Sequence, residues 1–380
     1  MPVFLHVLAL AVFAQGTSEF MLSGLVPGIA RDLSVSVGAA ASLTSAYAIG
    51  MIVGAPVMAA LSARWPRRRA LAGFLTAFVV VHMIGAVTTD FAVLFGTRVI
   101  AAVVNAGFLA VAMSVATTLA PKAKQARATA VLLSGVTLSC VVGVPAGALL
   151  GDWSGWRSAF WAVAALCLPA LALVFHQAPA DAAAARREIS LKGEARALRS
   201  RPVRSAMLLA AVVNGATFAT FAYLAVIATD VAHLPDTAVP ALLAAFGAGA
   251  FMGVTTAGRR ADGELGRGLL LALCALPVGW VLLALTSPCT TPLFLVTIAQ
   301  GALSFGIGSA LVTRVMHTAA SRAPSLGGSF ATVALNAGAF LGPLLAGIAT
   351  GTTGDYRGAA WVSAALAATA VALRGVRAAD

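Results

Sequence analysis

The sequence predicts an all-α membrane protein, with twelve transmembrane helices in two pseudo-symmetric six-helix bundles and both termini cytoplasmic. Three observations carry that prediction. Of the 380 residues, 60% are hydrophobic and only 10% are charged, with a mean hydropathy of +0.94, whereas a soluble domain carries about 25% charged residues. Apolar runs long enough to cross a bilayer recur along the whole chain. Features of the first half also return in the second, about 200 residues later, as an internal duplication requires.

A helix needs about 20 apolar residues to cross the hydrocarbon core. Runs near 3–25, 40–62, 70–89, 92–118, 128–150 and 157–176 meet that length. A second set follows near 204–229, 238–258, 268–287, 291–314, 325–350 and 358–376. The first run has no Lys or Arg before Arg31, so it reads as a retained span and not as a cleaved signal peptide. Short connections force neighbouring spans antiparallel, and Lys and Arg then orient them by staying on the cytoplasmic side. All but four of the 25 basic residues fall on the side of the termini; Arg31, Arg157 and Arg357 lie opposite and Arg98 lies inside a span. The domain division that follows is an N-terminal bundle over 1–178, a cytoplasmic central loop over 179–203 and a C-terminal bundle over 204–380. The loop mixes Ala, Arg, Glu and Asp, and reads as a linker with part of it an amphipathic helix on the membrane surface.

Several function classes are excluded. The net charge of +12 sits in short clusters between apolar runs without interleaved aromatics, so it orients spans and does not mark a nucleic-acid surface. Cys140, Cys167, Cys274 and Cys289 are dispersed, with no metal-ligand spacing or disulfide framework. No glycine-lysine phosphate loop is present, which argues against direct ATP drive. A membrane enzyme would need a cluster of histidines with acids, or Ser, His and Asp in one layer, and none is visible. A secondary transporter fits the duplication, because such carriers place their site between two repeats near the midplane.

Glu19 is the costly residue in this plan. An ionised side chain within a span costs ~2.5–3.5 kcal/mol on insertion scales, so it faces an interior and binds a proton, an ion or a substrate. Gln15 and Ser23 lie four residues to either side and put three polar groups on one helical stripe. Glu19 and Arg98 each lie about six residues inside the outer end of their spans, roughly 9 Å below the outer boundary at 1.5 Å per residue. At that shared depth they interact directly or through water. His6 and His82 read as packing or interfacial residues, and Asp32 and Asp230 as solvated charges at outer ends.

The duplication is visible in particular residues. Gly143-Val-Pro145, followed by Gly155-Trp156-Arg157 and Trp161, is echoed by Leu341-Gly342-Pro343, followed by Asp355-Tyr356-Arg357 and Trp361. The basic loop from Arg64 through Arg67 and Arg68 to Arg69 is echoed by Arg259, Arg260 and Asp262. In the fifth run Gly135, Gly143, Pro145, Gly147 and Gly151 crowd together, small residues that let helix backbones approach and a proline that kinks a span.

As an ordered set that run resembles the glycine-proline signature of proton-driven antiporters in the major facilitator superfamily. The loop after the second span resembles the superfamily's cytoplasmic gating loop, with Ala63 where an acid is expected and Pro66 where glycine is usual. Leu94-Phe-Gly-Thr-Arg98 resembles its membrane-embedded arginine motif, although Ala101, Ala102 and Asn105 replace the glycine and glutamine that normally follow. The stretch Phe13-Ala-Gln-Gly-Thr-Ser-Glu19-Phe-Met-Leu-Ser-Gly24-Leu-Val-Pro27 looks like the first span of twelve-span bacterial drug:proton antiporters. With Asn214-Gly-Ala-Thr217-Phe218 and Gln300-Gly-Ala-Leu-Ser304, it closely resembles actinobacterial chloramphenicol-resistance efflux proteins.

The resemblance implies proton-coupled export of chloramphenicol or related amphipathic drugs by alternating access across the plasma membrane. Glu19 and Arg98 would couple the proton. Spans one, four, seven and ten would line the cavity through Gln15, Asn105, Asn214, Phe218, Phe221, Gln300 and Ser304, with Asn336 on span eleven. It also implies a functional monomer in the lipid bilayer, driven by protons without a cofactor or metal, whose partner is a small drug and not a nucleic acid. Sugar and nucleoside exporters share parts of the first-span pattern, so a proton-linked metabolite exporter is the alternative.

Overall fold

The computed structural model describes residues 3–62, 65–119, 125–177, 196–260, 265–319, 323 and 326–375, and among these it is helical with no strand. In the first half α1 is Val3–Phe20, α2 Leu22–Asp32, α3 Val37–Ser62, α4 Arg67–Val87, α5 Phe91–Leu119, α6 Gln125–Leu138, α7 Val144–Ser154 and α8 Trp156–Gln177. In the second, α9 is Arg201–Phe221, α10 Val239–Arg260, α11 Leu265–Thr286, α12 Thr290–Ala319, α13 Gly327–Thr353 and α14 Gly358–Gly375. Ten helices among the described residues are long and apolar enough to cross a membrane, and α1 with α2 forms a further candidate bent by 49°. The run near 358–376 is the shorter apolar helix α14. Most of the expected central loop, and with it the expected surface helix, lies outside the described residues.

Local chemistry sets several helix ends. Asp90 caps α5, its carboxylate accepting the Val93 N–H at 3.0 Å. Gly155, at φ +80°, lets α7 stop and α8 begin at once with Trp156. Gly354 takes the left-handed conformation that closes α13, with its N–H on the Thr350 carbonyl at 2.9 Å.

Close approach of backbones organises both halves alike. In the first, α3 lies against α5 so tightly that a Cβ on Gly54 would stand 2.9 Å from Val103 Cα. In the second, α10 lies against α12, and a Cβ on Gly253 would stand 2.8 Å from Ala302 Cα. The halves meet along the ends predicted to be external. There Ser45 Oγ of α3 donates to the Phe340 carbonyl of α13 at 2.8 Å. Gly24 of α2 sits under Leu243 of α10, and Arg31 faces Asp236 across the divide at 3.7 Å.

Candidate functional site

The first span is not continuous. Pro27 offers no N–H to the Ser23 carbonyl and its ring presses on that group. In the turn before it, Gly24 N–H reaches the Met21 carbonyl at 3.1 Å, a tight three-residue turn. Helix α1 therefore ends at Phe20, one residue past Glu19. The stripe expected through Gln15, Glu19 and Ser23 stops at that break, because Ser23 belongs to the redirected helix and turns its hydroxyl back to the Phe20 carbonyl at 3.0 Å.

A broken helix exposes the carbonyls of its last turn. Met21 N–H takes that of Thr17 at 2.8 Å, and Arg98 takes that of Ser18 with Nη2 at 2.6 Å. Arg98 Nη1 also donates to Ser18 Oγ at 2.8 Å. The guanidinium is 1% exposed and lies over the Tyr47 ring at 4.6 Å and the Phe160 ring at 5.7 Å. A cation at a helix C-terminus is also favoured by the helix dipole. Glu19 and Arg98 feel each other's charge, yet they form no ion pair within the 4.0 Å that defines one. Instead of a direct pair with Glu19, the guanidinium binds Ser18, the residue before Glu19, through both its hydroxyl and its carbonyl.

The remaining predicted residues take several different settings. Gln15 is 1% exposed and its carboxamide has no protein partner. Asn105 donates to Tyr47 Oη at 2.8 Å and so extends the Arg98 assembly. Phe218 and Phe221 belong to a chain of rings that begins at Phe20 of α1, 6.1 Å from Phe218, and continues through Phe246 to Phe305. The other amides bond to backbone carbonyls, two of them across to a neighbouring helix. Asn214 donates to the Leu335 carbonyl of α13 at 2.7 Å, Asn336 to Thr332 of its own helix at 3.0 Å, and Gln300 turns to α11, donating to the Leu276 carbonyl at 3.1 Å. Ser304 is buried with its hydroxyl unpartnered.

The glycine-proline run packs against α1 and α2 along its whole length. Gly135 meets Phe13, Ser139 meets Gly16, Gly143 meets Thr17, Gly147 meets Met21 and Gly151 meets Leu25. Five positions at spacing four would drift by roughly 160° around a straight helix. A π-turn over Ser139–Gly143, just before Pro145, inserts one residue and recovers about 100° of that drift. Of the gating-loop residues, Arg67 starts α4 and Arg68 caps the Phe175 carbonyl at the end of α8. Arg64, Asp262 and the Arg259 side chain lie outside the described residues.

Asp32 is exposed at the outer end, as expected of a solvated charge, and it is also paired: Trp156 Nε1 donates to it at 3.0 Å and Arg157 pairs with it, while Arg157 Nη2 also holds the Thr88 carbonyl at 2.9 Å. The Arg157 and Trp156 hydrogen bonds hold its carboxyl below the ordinary 3.8. His82 packs between the Phe78 and Phe160 rings, as expected, and its two ring nitrogens also meet Ser18 Oγ at 2.6 Å and the Phe78 carbonyl at 2.8 Å. Sequence reasoning also passed over Ser18, Tyr47 and Phe20; a Tyr and a Phe in apolar runs give no signal until the bend brings them to the acid. Among the described residues no cluster of three or more His, Cys, Asp or Glu could hold a metal.

A buried cation caps a broken first helix beside an acid, within the first of two like halves. The Major Facilitator Superfamily model matches residues 8–331, and the chain belongs to that superfamily: it is a multi-pass membrane transporter and not an enzyme. It is 52% identical over 98% of its length to the chloramphenicol resistance protein of Streptomyces lividans, of which it covers 95%. It is 34% identical to the inner membrane transport protein YdhP of Escherichia coli (strain K12), over 90% of this chain and 87% of the relative. It is also 30% identical to the chloramphenicol efflux pump Rv0191 of Mycobacterium tuberculosis, over 90% and 85%. A bacterial homolog of the human lysosomal transporter Spinster, in an inward-facing and occupied conformation, superposes with a TM-score of 0.76 at 16% identity, covering 98% of this chain and 95% of that one. At that identity the likeness shows the fold alone.

Proposed function

We propose that the protein exports chloramphenicol or related amphipathic drugs across the plasma membrane in exchange for protons, with Glu19 as the proton carrier. The observation that carries the reading is the position of Glu19: the one acid of α1, partly accessible, at the break in the first span. The two relatives whose names cite chloramphenicol support the substrate class.

In this cycle the carrier open to the cytoplasm takes an uncharged drug against the Phe218 and Phe221 rings and the Gln15 amide. Drug binding favours the ionised form of Glu19. The halves then rock, an external proton neutralises Glu19, and the drug leaves. The protonated carrier returns and releases its proton inside. Coupling requires that drug and proton prefer different states, because a ligand that binds both equally shifts nothing. One charge crossing roughly 150 mV supplies about 3.5 kcal/mol, enough for a few-hundred-fold gradient of a neutral drug without ATP. No cofactor enters the cycle.

Uptake of chloramphenicol from the medium into the lumen of inverted vesicles, with and without an uncoupler, tests this function. Chloramphenicol transport that the uncoupler abolishes is the expected result. Transport insensitive to the uncoupler would remove the proton, and transport of sugars or nucleosides in place of the drug would make the protein a metabolite exporter.

A further inference from the structure

A buried polar chain runs from Arg98 through Ser18 into α4, beyond the residues assigned a role above. It joins Arg98, Ser18, His82 and the Phe78 carbonyl, and its three side chains are at most 1% exposed. Hydrogen-bonding capacity fixes its direction. Arg98 has only donors, so Ser18 Oγ accepts from Nη1 at 2.8 Å. The single Ser18 hydroxyl proton then goes to His82 Nε2 at 2.6 Å, which must be bare. The ring proton sits on Nδ1 and donates to the Phe78 carbonyl at 2.8 Å. This tautomer, assigned from the network, satisfies every bond at once.

We propose that His82 is a positioning residue for transport: as a neutral acceptor it orients the Ser18 hydroxyl, and through Ser18 it holds the Arg98 guanidinium beside Glu19 without letting the two close into a direct pair. The proposal rests on the proton-coupling reading of Glu19. Both bonds that hold Arg98 end on Ser18, while Arg98 Nε has no partner. With His82 gone, the Ser18 proton loses its acceptor and turns towards the guanidinium it should receive. Arg98 is then released towards Glu19, into a pair the incoming proton would have to break. The charged and titratable groups around His82 are Arg98 and, beyond it, Glu19 and Tyr47. The imidazole itself lies 4.1 Å from the Phe78 ring and 5.8 Å from that of Phe160.

Those rings make the test clean. His82→Phe keeps an aromatic in an aromatic slot and removes only the acceptor; His82→Gln restores an acceptor of similar reach. In proteoliposomes driven by a pH gradient, His82→Phe should lower chloramphenicol turnover roughly tenfold, the size expected for a buried bond linked to a charged group, with KM nearly unchanged. His82→Gln should recover most of that loss. In a Ser18→Ala background His82→Phe should add nothing, because the two act in series. Wild-type turnover in His82→Phe, equal losses in His82→Phe and His82→Gln, or the same loss with and without Ser18 would each overturn the proposal. The coupling reading fails separately, if Glu19→Gln still concentrates drug whatever the His82 variants do.

Discussion

Arg98 owes its place to a carbonyl. Ser18 O loses its helical partner where α1 stops, and a guanidinium can serve that oxygen and the Ser18 hydroxyl together, with its flat face on Tyr47. Lysine has neither the fork nor the flat face. Arg98→Lys should therefore cut turnover about tenfold or more while the chain still folds and inserts; a rate like wild type would mean that charge alone suffices. At the outer end, Asp32 joins α2, α4 and α8 through Trp156 and Arg157. Its carboxyl is depressed, so the clamp is complete above the ordinary carboxylate value and is lost as pH falls through the lowered one. Asp32→Asn should lower thermal stability at neutral pH, and the two melting curves should converge in acid. Curves that stay parallel down to low pH would deny the clamp its charge.

At the scale of elements, the glycine spacing of the fifth span and the proline of the first act together. The π-turn before Pro145 keeps Gly135, Gly143, Gly147 and Gly151 facing α1 and α2. A Cβ at Gly143 would stand 2.9 Å from Thr17 Cβ, with the Thr17 hydroxyl closer still. Gly143→Ala should cost about 1–3 kcal/mol by overpacking, and Thr17→Ala should recover part of it in thermal unfolding. Span positions were legible in the sequence because hydropathy sets them, and every expected run has a helix at its place. The bend after Glu19 was not legible, since Pro27 lies six residues beyond it and kinked spans often stay continuous. That one break moved Ser23 off the stripe and brought in Ser18 and Phe20. The setting of each amide was not legible for a simpler reason: a side chain's residue type does not say which side of its helix it faces, and Gln300 faces α11.

Across the whole molecule the duplication is asymmetric where it matters. Counted from their helix starts, Arg98 of α5 corresponds to Thr297 of α12, and His82 of α4 to Trp280 of α11. The second half thus carries no charge in that layer and leaves Thr297 Oγ1 and Trp280 Nε1 unpartnered. The buried cation and its neighbouring acid belong to the first half, and the Phe218–Phe221–Phe246–Phe305 rings to the second. The halves must separate at their outer ends for drug to leave. Arg31 and Asp236 are exposed and 3.7 Å apart, so their bridge adds little stability but marks where the seal opens. Arg31→Cys with Asp236→Cys, in a chain with the exposed Cys274 and Cys289 replaced by Ser, should stop transport when cross-linked and recover on reduction. Transport that persists through the cross-link would show that these ends need not part.

The role of Glu19 is decided by one comparison, made on Glu19→Gln and wild type in proteoliposomes. Glu19→Gln, which mimics the protonated acid, should bind chloramphenicol more weakly and with an affinity that no longer varies with pH, and only wild type should accumulate the drug against its gradient when a pH difference is imposed. Uphill accumulation by Glu19→Gln would show that the proton travels by another group.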